Sequence, residues 1–137
     1  MPIVNLKHIN MPLKYKIQQR GETGVAGGGN KKYYASSVTD GERDIEQLTK
    51  SIEKISTVSG ADIRAVLYAM VDVISHEMAD GRIVRLGDLG SLRISLSSDG
   101  FATEKEVTAT AIRKTKILFN PGEKLKQMQQ TIKFEKV

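Results

Sequence analysis

The chain has 137 residues, a length that predicts one domain with its own core and leaves too little for two. It contains no cysteine, which excludes disulfides and thiolate metal sites and suits a reducing compartment, so we expect the cytoplasm. No apolar run approaches a membrane span, and the first eight residues lack the apolar core of a signal peptide, so we expect no membrane association.

The formal charge of +5 is unevenly distributed along the chain. Residues 1–35 carry +5, residues 36–80 carry −5 and residues 81–137 carry +5. Such segregation creates an oriented field that favours a polyanion approaching one side of the molecule. Lysine-rich flanks also serve solubility, and charge by itself leaves the two interpretations open.

The N-terminal part predicts two strands joined by a glycine-rich connection. Side chains alternate from Leu13 to Gln18, and Lys31 to Val38 is again strand-like. The connection, Gly21 to Asn30, is too rich in glycine for regular structure. A phosphate-cradling loop is the sharper alternative, but such a loop leads into a helix, whereas this one leads into a strand. Lys31 and Lys32 could still contact a DNA backbone.

Two helices are expected next. Thr39 and Glu42 have capping-box spacing, and a narrow apolar stripe follows at Ile45, Leu48, Ile52 and Ile55. Ser59–Asp62 repeats the start signal, and Gly81 ends the second helix. The second stripe is wider and consists of Ile63, Val66, Leu67, Met70, Val73, Ile74 and Met78. It could pack against the first helix and a partner chain together, or simply underlie the sheet.

A hairpin is predicted between Gly81 and Leu96. Apolar residues alternate through Ile83 and Leu86, across the turn Gly87–Gly90, into Leu92, Ile94 and Leu96. Ile112 to Phe119 predicts a further strand that carries Arg113, Lys114 and Lys116. Asn120 as cap, Pro121 at the first helical position and Glu123 then predict a last helix, with Leu125 and Met128 as its apolar contacts.

Two of these motifs resemble the HU/IHF family of bacterial DNA-binding proteins. Gly87-Asp88-Leu89-Gly90-Ser91-Leu92 resembles the family's Gly-Phe-Gly-Thr-Phe turn, with leucines at the two aromatic positions. Phe119 to Lys126 resembles the family's Phe-x-Pro-Gly-Lys-x-Leu-Lys ending. The resemblance covers roughly residues 40–130, and the order of the elements is more specific than any one of them.

The resemblance implies an α+β, HU-like fold: two N-terminal helices packed on an antiparallel sheet with an arm and a short C-terminal helix, plus an extra N-terminal β-hairpin. It divides the chain into a strand extension with a glycine-rich loop over residues 1–38 and an HU-like domain over 39–137. The extension looks like that of a divergent HU-related branch. The arm is expected between Ser97 and Thr110.

The expected arm departs from the family pattern. Family arms carry Arg-x-Asn-Pro, whose proline wedges between base pairs, and residues 97–110 contain neither proline nor arginine. Phe101 is the only apolar wedge candidate near the expected tip of the arm. We expect it instead to be a strand residue that packs beneath its own sheet.

An enzyme is the first rival function. Neither His8 nor His76 has a spaced carboxylate or nucleophile that forms a recognisable site, and Ser51 and Lys54 form a Ser-x-x-Lys pattern that an amphipathic helix produces by chance. We therefore expect no catalysis, no cofactor and no metal site.

The sequence thus predicts a homodimer that binds double-stranded DNA through phosphates, without sequence preference, as a nucleoid-associated architectural protein. The alternative is an HU-fold scaffold that has lost DNA bending or DNA binding and whose N-terminal strands meet another protein. Each candidate cation has an ordinary interpretation as a solvated surface charge. The candidate DNA contacts are Arg82, Arg85, Arg93, Lys105, Arg113, Lys114, Lys116, Lys124 and Lys126.

Overall fold

The computed structural model describes residues 11–137, which divide into two compact units. The first contains residues up to Gly60 together with Thr131–Val137, and the second is Ala61–Gln130. The described elements, in chain order, are β1 (Leu13–Arg20), β2 (Lys32–Val38), α1 (Ile45–Ile55), α2 (Gly60–Ala79), β3 (Val84–Arg85), β4 (Gly90–Ser98), β5 (Ile112–Pro121), α3 (Glu123–Thr131) and β6 (Phe134–Lys136).

The first unit contains a three-stranded sheet in the order β2-β1-β6. The two predicted strands are confirmed as an antiparallel pair. β6 was not predicted, and it pairs in parallel with β1, which brings the C-terminal residues into this sheet. This pairing explains why Thr131–Val137 belong to the first unit although they follow the second one in the chain. The boundary between residues 38 and 39 stays a prediction.

The glycine-rich connection is more ordered than its composition predicts. It contains a 3-10 turn at Ala26–Gly28, and the amide of Glu22 donates a 2.6 Å hydrogen bond to the carbonyl of Gly28. Gly24, Gly27, Gly28 and Gly29 all have positive φ, a conformation that glycine adopts without steric cost.

α1 begins later than the first cap signal predicts. Asp44, and not Thr39, forms the capping box: its carboxylate accepts a 2.9 Å hydrogen bond from the amide of Gln47, whose side chain accepts one of 3.1 Å in return. Gly41 has a φ of 92°, which interrupts any helix begun at Thr39.

α2 begins and ends where its sequence signals predict. Gly81 has a φ of 81°, and the amides of Gly81 and Arg82 donate to the carbonyls of Met78 and Glu77, both at 3.0 Å. This pair of bonds is the Schellman ending that glycine favours.

The second unit contains an antiparallel sheet in the order β3-β4-β5. The predicted hairpin is confirmed, and the amide of Leu86 donates a 2.8 Å hydrogen bond to Gly90. α3 begins at Glu123, so the predicted start is wrong: Asn120 and Pro121 still belong to β5. The sheet holds them there because Asn120 pairs with Ser91 and Pro121 with Gly90.

The segment expected to form an arm is a loop with two 3-10 turns, at Glu104–Glu106 and Ala109–Ala111, and not a β-ribbon. β4 ends at Ser98 and β5 begins at Ile112, and the amide of Asp99 closes the loop with a 3.0 Å hydrogen bond to Ala111. Phe101 lies in this loop and is 45% exposed, so the expectation of a strand residue packed beneath the sheet is wrong. The fold is α+β with two small sheets, and the packing of both helices on one sheet stays a prediction.

Candidate nucleic-acid interface

The second sheet has one polar and one apolar face. Residues paired across antiparallel strands project to the same side, and successive residues alternate sides. The register pairs Leu92 with Phe119 and Ile94 with Ile117, which makes one face apolar. The opposite face contains Arg85, Ser91, Arg93, Ser95, Ser97, Lys114, Lys116, Leu118 and Asn120.

Four of the nine candidate DNA contacts therefore share one side of the sheet. Arg85, Arg93, Lys114 and Lys116 are all exposed, and the described strands contribute no carboxylate to that side. We call this surface the basic sheet face. Its cations come from three strands that are separate in sequence, so the hydrogen-bond register brings them together.

A fifth candidate meets this face at its edge. Lys126 of α3 and Arg85 of β3 line the same recess of about 500 Å³, together with Ser91 and Asn120. Glycines form much of its wall, and the amide of Gly122 donates a 2.9 Å hydrogen bond to Leu89. The recess presents two cations and two neutral polar side chains, which suits an anion. Lys124 is exposed in the first turn of α3.

The remaining three candidates lie beside acidic residues. Arg82 is within 3.0 Å of Glu77 and 3.2 Å of Asp80. Arg113, next to the bulge of the β4–β5 ladder, forms an ion pair with Asp99. Lys105 stands between Glu104 and Glu106 in a 3-10 turn. Ion pairs compensate Arg82 and Arg113, and Lys105 has an acidic residue on each side in sequence, so the field at the basic sheet face owes less to these three cations.

Ser91 and Asn120 are paired across the β4–β5 ladder and line the recess, and neither is among the predicted DNA contacts. The alternation of β4 would have placed Ser91 on the side opposite Leu92. Asn120 could not be placed in this way because its motif indicated a helix cap.

No metal-binding cluster and no helix capable of crossing a membrane is found within residues 11–137. His76 is exposed on α2. His8 lies outside the described residues.

The apolar side of this unit is open. Ile94 and Ile117 of the sheet, with Val71, Ile74 and Met78 of α2, line a groove of about 500 Å³. Ile117 and Val66 are each 65% exposed. We call this surface the apolar groove.

A unit with a glycine-turn hairpin, an amphipathic sheet and a short helix after a Pro-Gly junction has the features of an HU-type domain. The family model that matches, over residues 11–136, is HU-HIG, described as an HU domain fused to a winged helix-turn-helix, an immunoglobulin-like domain or a glycine-rich motif. The chain belongs to this HU-HIG family, which confirms the resemblance seen in its sequence. No curated protein matches the chain.

The fold is similar to the crystal structure of a candidate bacterial DNA-binding protein from Bacteroides vulgatus, with a TM-score of 0.64 at 14% sequence identity. The match covers 91% of this chain and 48% of the other. This chain therefore spans about half the length of that protein, and the likeness concerns the fold.

Proposed function

We propose that this protein binds double-stranded DNA through phosphate contacts made by the basic sheet face and the adjoining recess. The observation that carries the proposal is the gathering of Arg85, Arg93, Lys114 and Lys116 on one exposed face without a carboxylate. Membership of an HU family, and the description of the Bacteroides protein as DNA-binding, support the same function. The role is architectural and non-enzymatic, in the nucleoid of the cytoplasm.

Phosphate contact accounts for the kind of side chains on this face. Lysine acts as a point charge on phosphate, and arginine can also enter a minor groove. Contacts to phosphates position a protein on the duplex without reading its sequence. We therefore propose that binding is insensitive to sequence.

The proposed assembly is a homodimer. The apolar groove and the exposed valines of α2 leave more apolar surface in water than small monomeric proteins ordinarily expose. A second copy would cover this surface and place a second basic sheet face in the same particle.

The salt dependence of binding tests the proposal. Log K should fall linearly with log salt, at a slope of about −0.9 per phosphate neutralised. Substitution of Arg93, Lys114 and Lys116 by alanine should flatten the slope. The matched control substitutes the compensated cations Arg82, Lys105 and Arg113, which removes the same charge and should flatten the slope less.

The result also separates this function from its rival. If the wild-type protein fails to bind a generic duplex even at low salt, the proposal is wrong and the scaffold function replaces it. If the two triple variants lose affinity equally, net charge and not the basic sheet face governs binding. Scrambling the duplex sequence should leave affinity unchanged.

A further inference from the structure

The sheet of the first unit also has a basic and an apolar side. Its register pairs Lys16 with Ser36, Gln18 with Tyr34 and Arg20 with Lys32. Lys14 lies on the same side, opposite Val38 and Glu135. The other side carries Leu13, Tyr15, Ile17 and Phe134. The four cations, Lys14, Lys16, Arg20 and Lys32, thus share one side, which we call the N-terminal basic face.

The charges of this face are only partly compensated. Lys32 forms a 2.6 Å ion pair with Glu22. No ion pair among the described residues involves Lys14 or Lys16. Glu135 is the one carboxylate that the described strands place on this side. Lys16 and Arg20 are exposed, so the face retains a net positive charge in contact with solvent.

Among the described residues, the side chain of Arg20 is positioned by an aromatic ring and not by a carboxylate. Its guanidinium lies 4.6 Å from the centre of the Tyr34 ring, a cation–π arrangement that orients the group. A stacked arginine keeps its N–H donors available for an anion, and less rotamer freedom is lost when it binds. Tyr34 thus acts as a positioning residue for Arg20.

We propose that the N-terminal basic face is a second phosphate-contact surface for duplex DNA. The inference rests on the proposed function and extends it to a sheet outside the HU-type motifs. Lys14 and Lys16 are two residues apart on one strand, which separates them by about 6.7 Å at the usual rise. The phosphates of one DNA strand recur at about 3.4 Å of rise along the helix axis, so two lysines on a strand lying along that axis span the rise of about two phosphates.

Polyanion binding fits this face better than docking of a folded protein does. The cations are arrayed on a strand surface, and most of the large apolar side chains that would anchor a protein, Leu13, Tyr15, Ile17 and Phe134, project from the opposite side of the sheet. Affinity would come from counterion release, which needs cations and no apolar burial.

Lysine acetylation followed by mass spectrometry tests the proposal on the unaltered full chain. Each lysine is modified with and without a generic duplex at low salt. Lys14 and Lys16 should become protected by DNA, together with Lys114 and Lys116 of the basic sheet face. Lys50 and Lys54 of α1 and Lys136, on the apolar side of the first sheet, serve as internal controls and should react equally in both samples.

A charge-matched pair of variants gives the second measurement. Lys14→Gln, Lys16→Gln and Arg20→Gln together should flatten the salt slope by about 0.9 for each phosphate that is no longer neutralised. Lys50→Gln, Lys54→Gln and Lys136→Gln remove the same charge and should leave the slope near that of the wild type. Tyr34→Leu should lower affinity while leaving the charge unchanged. Circular dichroism checks that each variant remains folded.

The outcomes distinguish the two proposals. Protection of Lys114 and Lys116 without protection of Lys14 and Lys16 would overturn the N-terminal basic face and leave the proposed function standing. Equal slopes for the two triple variants would also overturn it, and the N-terminal strands would then be free to meet a protein. If the duplex protects no lysine and does not bind, both proposals fail.

Discussion

At the level of single residues, Gly90 shows how closely the hairpin and β5 approach each other. It has a φ of 142°, and a Cβ at this position would meet the carbonyl of Asn120 and lie 2.8 Å from the ring of Phe119. Gly122 is similarly confined, since its Cβ would meet the backbone of Asp88 and, at 2.7 Å, the carbonyl of Gly87. These close approaches give a physical reason for the glycines in both motifs that resemble the HU family.

Gly90→Ala should therefore destabilise the protein. A side chain at positive φ costs roughly 1–3 kcal/mol, and the clash with backbone adds to that cost. Chemical denaturation should show a lower free energy of unfolding. Gly100→Ala is the control, because its Cβ would meet nothing within 4 Å and its φ is not positive. Equal stability of the two variants would contradict this account of the hairpin.

At the level of elements, the two described helices of the chain's middle differ in how widely apolar residues are spread around them. The apolar residues of α1 form a narrow stripe, and its most buried residue is the polar Thr49, at 2% exposure. α2 is apolar around more of its circumference, and its valines remain exposed although Ile63 is buried. A helix that is apolar on several sides needs more than one partner surface. The apolar groove beside Ile94 and Ile117 likewise needs a partner surface to cover it.

Opposite faces of the second sheet should consequently have separable effects. Ile94→Glu with Ile117→Glu places charge in the apolar groove, and sedimentation should show a monomer where the wild type forms a dimer. Ser95→Glu with Ser97→Glu places the same charge on the basic sheet face, and should preserve the dimer while weakening DNA binding. A wild type that sediments as a clean monomer at micromolar concentration would rule out the proposed dimer.

At the level of the whole molecule, the conformation of the β4–β5 connection determines what we expect of DNA bending. A wedge must open a base step at a cost of a few kcal/mol, which is offset by contacts along wrapped DNA. Here the connection is a loop closed by the Asp99–Ala111 hydrogen bond. It has no β-ribbon that could extend around the duplex and no proline.

We therefore expect binding with weak bending. Fluorescence energy transfer between the ends of a short duplex should change little on addition of the protein, and Phe101→Ala should leave that value unaltered. Because Phe101 is exposed, its replacement by alanine tests insertion into DNA without removing a buried side chain. A large bend that disappears in Phe101→Ala would show that this side chain acts as the wedge.

The sequence by itself determined the features that depend on neighbours along the chain. The alternation of β1 and β4, the glycine ending of α2 and the Gly87–Gly90 turn follow from backbone preferences and local periodicity, which act over a few residues. The ordered set of these signals was enough to indicate the HU family. The segregation of charge along the chain could also be read directly.

Only the tertiary structure decided which distant residues meet. β6 pairs with β1 although the two strands lie near opposite ends of the sequence. A strand of three residues carries too little pattern to predict this pairing. Strand pairing placed Arg93 and Lys116 on one side of the sheet and kept Asn120 in β5. The ion pair with Asp99, in the loop before β5, set Arg113 apart from the other candidates. The physical reason is that hydrogen-bond register and ion pairs join groups far apart in sequence, whereas local propensity describes each segment alone.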